Sequence, residues 1–411
     1  MRRSLTVLAL ALTAAACVDT DSTDPTDPTD PTDPTDPTDP PRTISVTLDH
    51  LEPGWLVTTS RLTGSAPPTE TTLIADGTPL TLTGTSTDVF VATVTDGDGA
   101  LVDTQSMQST SCLSPTARRL NVPADYPTIQ AAIDAAGHGE AVKVAAGTYT
   151  EAVRMKAGVC LLGTGGRRTI LDAGAAPHRN LVDLTDAPGA VVAGFVFRGV
   201  RTPGGCADPS DVFACSGNWY RAAVYLGGTD WFDPTQFAPP VISNNVFEDN
   251  EIAVMLYWRG VSIIRNNVFE ANRTAFIANH FQSRTLVANN VFYANTSLAI
   301  GNQAAYLDII NNILVGSETA VRFMYIQTGF IRCNLFWQNT TVANESRFAI
   351  GAGGNISADP LFVDPLNHDF RLQPGSPAAN TGCHASAAFE PDGTAPDLGA
   401  FGGPLAASVA F

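Results

Sequence analysis

Asn244-Asn245-Val246-Phe247, Asn266-Asn267-Val268-Phe269, Asn289-Asn290-Val291-Phe292, Asn311-Asn312-Ile313-Leu314 and Cys333-Asn334-Leu335-Phe336 are five versions of one segment. The second residue of each falls at 245, 267, 290, 312 and 334, so the steps are 22, 23, 22 and 22. A fixed period of this size marks a stacked array rather than a domain with one closed core. Three residues past each Phe or Leu stands Asn250, Asn272, Asn295, Ser317 or Asn339. An apolar pair follows in four repeats: Ala253-Val254, Ala275-Phe276, Ala299-Ile300 and Ala320-Val321.

About 22 residues hold three strands of roughly 3–5 residues with turns between them, and stacked rungs lie ~4.8 Å apart. The expected fold is therefore all-β, a right-handed parallel β-helix. Val, Ile and Phe are expected to pile into an apolar spine inside the coil. Asn residues belong at the bends, where they tolerate left-handed φ and pass amide hydrogen bonds from rung to rung. A leucine-rich repeat has an overlapping period, but it needs Leu-dominated strands and a helical half. Neither is visible.

Outward from this array, the N-terminus reads as an export signal. Arg2 and Arg3 precede the apolar run Leu5 to Leu12, and Ala14-Ala15-Ala16-Cys17 follows. Small residues before a cysteine resemble a bacterial lipobox, which implies lipidation of Cys17; plain cleavage after small residues is the alternative. Residues 1–17 form this signal. Residues 18–42 form a stalk in which Thr-Asp-Pro occurs six times, an extended composition that cannot build a core. Eight aspartates between Asp19 and Asp39 supply almost half of the net charge of −17, so acidity says little about the partners of the folded part. Residues 43–118 alternate as strands at 43–48, 80–83 and 89–94, predicting a small β-sandwich-like domain that serves as a spacer. The β-helix is expected over 119–403, with an insertion at 201–240 and a tail at 404–411.

Six cysteines remain beside Cys17, an even number that fits disulfides in an exported chain. Cys206 with Cys215, closing the insertion, is the expected pair; Cys112, Cys160, Cys333 and Cys383 stay unassigned. Residues 126–137 predict a short amphipathic helix with Pro127 in its first turn, covering the first rung.

Tyr126-Pro127-Thr128-Ile129-Gln130-Ala131-Ala132-Ile133, Gly147-Thr148-Tyr149-Thr150-Glu151, Gly158-Val159-Cys160-Leu161-Leu162-Gly163 and Thr169-Ile170-Leu171-Asp172 resemble the opening of the pectate-lyase-like superfamily of right-handed β-helix proteins. Asp359-Pro360-Leu361-Phe362 through Asp369-Phe370-Arg371-Leu372 and Asp397-Leu398-Gly399-Ala400 are similar to the closing segment of many bacterial members. The likeness spans roughly residues 120–403 and implies the fold; one scaffold hosts many activities. Gly147-x-Tyr149-x-Glu151 resembles the first pectin methylesterase motif, but the later motifs are missing. The polygalacturonase and classical pectate lyase signatures are missing too, and with the former the paired carboxylates of a glycosidase.

What remains is the outer surface. Aligned on the apolar pairs, Tyr257, Asn279, Gln303 and Met324 are expected to share one slot, and Trp258, His280, Ala304 and Tyr325 the next. Aromatic rings stack on sugar faces, and arginine pairs bidentately with a uronate carboxylate. Between 241 and 350 seven acids balance seven arginines, so an acidic polymer is not repelled. The expected role is binding of a polysaccharide, a uronic-acid polymer cleaved by β-elimination if the site is catalytic. Arg259 or Arg284 with Asn279 then stabilises the enolate, His280 takes the proton and Tyr257 or Tyr325 serves the leaving oxygen. Trp258, Asn279, Asn302, Gln303, Arg322 and Tyr325 are the substrate-binding candidates. The competing reading is a non-catalytic surface or adhesion protein whose solenoid is a rigid display.

No cofactor is expected; Asp359, Asp364 and Asp369 raise calcium, with turn capping as the competing role. The chain is expected to be a monomer in the bacterial cell envelope, lipid-anchored through Cys17 at the outer membrane surface or secreted. Nucleic acid is not an expected partner.

Overall fold

The computed structural model describes residues 117–402 apart from 177–178, 202–220, 228–239, 258–259, 280–282, 304, 326–330, 345–348 and 383–396. Before residue 117 it describes Cys112, Ala75, Asp76, Thr78 and the strands named below. Cys17, Cys206 and Cys215 lie outside the described residues, as do Trp258, Arg259 and His280.

Three parallel sheets wrap one axis. Sheet I has nine strands, from Gly147–Tyr149 to Ile356–Ser357; sheet II has eight, from Val153–Arg154 to Thr341–Ala343; sheet III has nine, from Arg119–Val122 to Ile331–Arg332. Each strand pairs in parallel with the equivalent strand one rung away, as in Val246↔Val268↔Val291↔Ile313↔Leu335. The fold is a parallel β-helix. The resemblance of residues 120–403 to the pectate-lyase-like superfamily therefore holds at the level of architecture.

The paired asparagines divide their labour. The first of each pair takes the left-handed bend: Asn244, Asn266, Asn289 and Asn311 have φ between 53° and 57°, and Cys333 replaces them at 50°. The second is fully buried and forms a ladder. The Nδ2 of Asn245, Asn267, Asn290, Asn312 and Asn334 donates to the Oδ1 of the next rung's asparagine at 3.0–3.1 Å. Each of these amides also donates to a backbone carbonyl of the rung before it, so a buried polar group is fully used. A second ladder runs Asn250, Asn272, Asn295. It breaks at Ser317, whose buried Oγ has no hydrogen-bond partner.

One expectation needs correcting. Val and Phe are neighbours in a strand, so they point to opposite faces and cannot share one spine. Phe197, Phe247, Phe269 and Phe292 stack inside the coil with centroids 5.0, 4.8 and 4.7 Å apart. Val196, Val246, Val268, Val291, Ile313 and Leu335 line the outer face of sheet I. There they form a second apolar layer with Phe362, Phe370, Ala378, Leu398 and Ala400 of the C-terminal segment. Asn266 Nδ2 donates to the Ala400 and Gly402 carbonyls and Asn289 Nδ2 to Asp397 O, so the bend asparagines also fasten this segment.

The helix α1 spans Ile129–Ala135, shorter than the sequence pattern. Thr128 caps it by accepting from Ala131 N, which leaves Pro127 outside the first turn. Ile129, Ala132 and Ile133 bury against the first rung. Glu151 accepts from Ile129 N and Gln130 N, while Lys156 Nζ donates to the Asp134 and Ala136 carbonyls. An acid at the N-terminus and a base at the C-terminus match the helix dipole. The esterase-like Glu151 is thus a helix clamp.

Residues before the coil form two antiparallel sheets. One pairs Leu12–Ala14, Thr43–Leu48 and Leu80–Thr85; the other orders Thr69–Ile74, Leu56–Thr63, Asp88–Thr95 and Leu101–Gln108. Cleavage ahead of Cys17 would remove the edge strand Leu12–Ala14. A disulfide joins Cys112 to Cys160 with Cα atoms 5.5 Å apart, tying this region to sheet III. Cys333 is also disulfide-bonded.

Candidate functional site

Sheet II gives the most varied outward face. Along its strands Val254 and Leu256 enter the interior core, as do Phe276, Ala278 and Ile300. The alternate residues Met255, Tyr257 and Ile277 pack outside with Ile252, Ala222 and Tyr225. One outward slot therefore reads Arg154, Asp183, Tyr225, Met255, Ile277, Gly301, Arg322 along the axis. The second reads Gly227, Tyr257, Asn279, and the backbones of Gln303 and Tyr325 continue its register.

A register shift lies in the last step of the second slot. Asn302 pairs with Phe323 and Gln303 with Tyr325, so Met324 is the extra residue of a β-bulge. Simple counting puts Met324 beside Gln303; the bulge brings Tyr325 there instead. Bulges concentrate where a strand must re-aim a side chain. Asn302 also departs from expectation. It is 1% exposed and turned inward, its Nδ2 donating to Ala305 O and its Oδ1 accepting from Ala305 N. Both ends of the amide are spent on the turn between sheets II and III, which leaves nothing for a ligand.

Of the expected site, Tyr257, Asn279 and Arg322 thus lie on one outward face, with the backbones of Gln303 and Tyr325 in register beside them. Arg284 is the second residue of the sheet III strand Ser283–Ala288, pairing with Val261 and Tyr306. Arg322 is part-buried and forms no hydrogen bond or ion pair with any described residue. Its guanidinium is not among the buried unpartnered groups, so water reaches it and it is open to a ligand that replaces that water.

Sequence reasoning missed Tyr225. Its strand, Val224–Gly227, follows the insertion and falls out of the 22-residue period; the alternation Val224-Tyr225-Leu226 was the available signal. Burial, with the nearby Asp183 carboxylate and the Tyr257 phenol, pushes the Tyr225 hydroxyl up to about 12. It stays protonated, and so remains a donor, at any physiological pH.

A second cluster lies on the outer face of sheet I, beside the covered Val column. Glu248 and Glu270 stand one rung apart, two carboxylates the sequence did not bring together. Arg167 bonds both, at 2.7 Å to Glu270 Oε1. His368 Nδ1 lies 2.7 Å from Glu270 Oε2, and Arg198 Nε donates to Asp172 at 2.7 Å. Burial works to raise the Asp172 carboxyl, but the Arg198 guanidinium and the Gly174 amide outweigh it and hold it below its ordinary value. These carboxylates are consumed by arginines, so they act as a clasp between the 163–168 loop, the coil and the C-terminal segment.

Asp359 accepts from Leu361 N, Asp364 from Asn367 Nδ2 and Asp369 from Arg371, so each serves a local turn. Among the described residues no group of three or more His, Cys, Asp or Glu gathers as a metal site. Among the described residues, no helix is long and apolar enough to cross a membrane.

A family model described as periplasmic copper-binding protein (NosD) matches residues 210–357. The match covers less than half the chain. Copper favours thiolate, thioether and imidazole ligands. Within the matched stretch Met255 is 1% exposed in an apolar cluster and Cys333 is disulfide-bonded, so the described donors do not assemble for copper. No curated protein matches the sequence.

Among solved structures, the catalytic domain of a GH87 α-1,3-glucanase in complex with nigerose is 10% identical with a TM-score of 0.40, covering 72% of this chain and 62% of its own. A thermostable GH87 α-1,3-glucanase from Streptomyces thermodiastaticus is 11% identical with a TM-score of 0.21, covering 77% and 88%. A PL6 family alginate lyase is 13% identical with a TM-score of 0.21, covering 68% and 58%. The chain spans about three-fifths (62%) of the length of the first of these. Likenesses this distant carry nothing about substrate or chemistry.

Proposed function

We propose that this is an exported, envelope-tethered β-helix protein that binds polysaccharide along the outward face of sheet II. One observation carries the reading: the part-exposed Tyr257 and Asn279 share a slot, the backbones of Gln303 and Tyr325 continue its register across the bulge at Met324, and Arg322, which bonds no described side chain, lies beside it. Phenol rings offer apolar faces and a polar rim, amides offer donors and acceptors, and a guanidinium offers a fork for a carboxylate. The catalytic form of the proposal is β-elimination, with His280 as base, Tyr257 as acid and Arg259 or Arg284 at the developing enolate. Export rests on residues 1–17, and the lipid on Cys17 with the Thr-Asp-Pro stalk gives the tether.

The test uses the full chain carrying Cys17→Ser, which keeps it soluble. It is passed over polysaccharide gels and incubated with uronic-acid polymers while the absorbance of unsaturated products is followed. Retention supports the binding role, and product formation that His280→Ala abolishes supports the lyase. Neither retention nor product sinks the proposal and leaves a rigid display protein.

A further inference from the structure

At its early end the slot that holds Tyr257 is built around a missing side chain. Tyr225 stands in the first slot of sheet II and Gly227 in the second, two residues along the same strand. A Cβ on Gly227 would lie 2.8 Å from Cε1 of the Tyr225 ring and 2.6 Å from Thr185 Oγ1. The ring therefore leans along the strand over Gly227, into the slot that Tyr257 continues one rung later. A side chain at 227 would displace it. Two phenols thus stand on consecutive rungs of one slot, both part-exposed.

Asp183, also part-exposed, pairs with Tyr225 on the rung before it. Its Oδ1 accepts from Thr185 N at 2.8 Å, and it bonds no other described residue. The Tyr225 hydroxyl likewise bonds no described residue, although the Asp183 charge reaches it. A phenolic donor and a carboxylate acceptor stand on adjacent rungs without bonding each other. They suit a group that accepts from the one and donates to the other. Among sugar substituents a hydroxyl does both. A uronate carboxylate has no proton to donate and would meet Asp183 as a like charge.

On the reading that sheet II binds polysaccharide, we infer that Asp183, Tyr225 and Tyr257 form a subsite for an uncharged pyranose, recognised through its hydroxyls. One hydroxyl accepts from the Tyr225 O–H and donates to the Asp183 carboxylate. The apolar face of the sugar packs on the exposed part of Tyr257.

The experiment measures binding of cellohexaose, mannohexaose and oligogalacturonate to the full Cys17→Ser chain by calorimetry. A neutral oligosaccharide is expected to bind tightest. Asp183→Asn is expected to weaken it about tenfold and Tyr225→Phe about fivefold, the loss of one charged and one neutral hydrogen bond. Because both groups hold the same hydroxyl, the double variant should lose little more than Asp183→Asn alone. Unchanged melting temperatures show that the variants fold. Oligogalacturonate binding tightest, both single variants leaving neutral binding intact, or losses that simply add, each overturns the inference while the binding reading stands. Failure of all three probes overturns the inference, and failure on the polysaccharide gels as well overturns the reading.

Discussion

Sheets I and II present outer faces built on the same rungs, yet the two have opposite character. On sheet I the outward column is Val196, Val246, Val268, Val291, Ile313 and Leu335, nearly uniform, and the C-terminal segment covers it. On sheet II the equivalent column changes chemistry at almost every rung, from Asp183 through Tyr225, Met255 and Gly301 to Arg322. A surface that must receive a covering segment of its own chain needs matching apolar shape. A surface that meets a ligand has no reason to repeat. Met255, Ile277 and Gly301 of that column are buried all the same, so the open part of the candidate site is the neighbouring slot with the part-exposed Tyr257 and Asn279.

The comparison breaks most readily at Val268. Val268→Asp would bury a carboxylate in the apolar layer between sheet I and the C-terminal segment, at a cost of about 4 kcal/mol. The C-terminal segment should then become sensitive to protease in limited digestion; a wild-type digestion pattern would show that the segment is not held there. Asn290→Ala tests the interior that both sheets share. It strands the Asn267 amide and the Ile264 and Ala288 carbonyls, and a loss of about 3 kcal/mol is expected in a denaturant midpoint.

Ser317→Asn runs the other way. It would mend the second ladder between Asn295 and Asn339 and should raise stability by about 1 kcal/mol in the same assay. Asp172→Asn should cost under ~1 kcal/mol, because the Arg198 pair is partly exposed. Its folded carboxyl lies below its ordinary value, so the stabilisation is present above the unfolded pKa and fades as pH falls through the folded one. The wild-type advantage over this variant should therefore vanish in acid; an advantage that persists there would assign it to packing. The smallest stability effect belongs to Arg322→Ala, within about 0.5 kcal/mol in thermal melts. A large loss would place Arg322 with the structural columns of sheet I.

Much of the architecture was legible in residues alone, for reasons that can be named. The 22-residue step and the Asn pairs dictate stacked rungs, since like residues meet only if successive turns lie above each other. What counting missed were departures from the period. The strand Val224–Gly227 is displaced by the insertion, so Tyr225 escaped notice. The bulge at Met324 adds one residue to a strand, so Tyr325 rather than Met324 falls beside Gln303. Asn302 read as a surface amide because alternation was followed into a turn that its own side chain closes.

By itself the sequence determined the coil, its interior asparagines and aromatic stack, and the helix that covers its first rung, because each is set by spacing along the chain. Only the tertiary structure decided which side of a strand each column faces and where the C-terminal segment lies. It alone joined Arg167 to Glu248 and Glu270, 81 and 103 residues away, and left Arg322 without a partner among the described residues. Those outcomes depend on which rungs lie beside distant loops, and contacts at such separations leave no period to read.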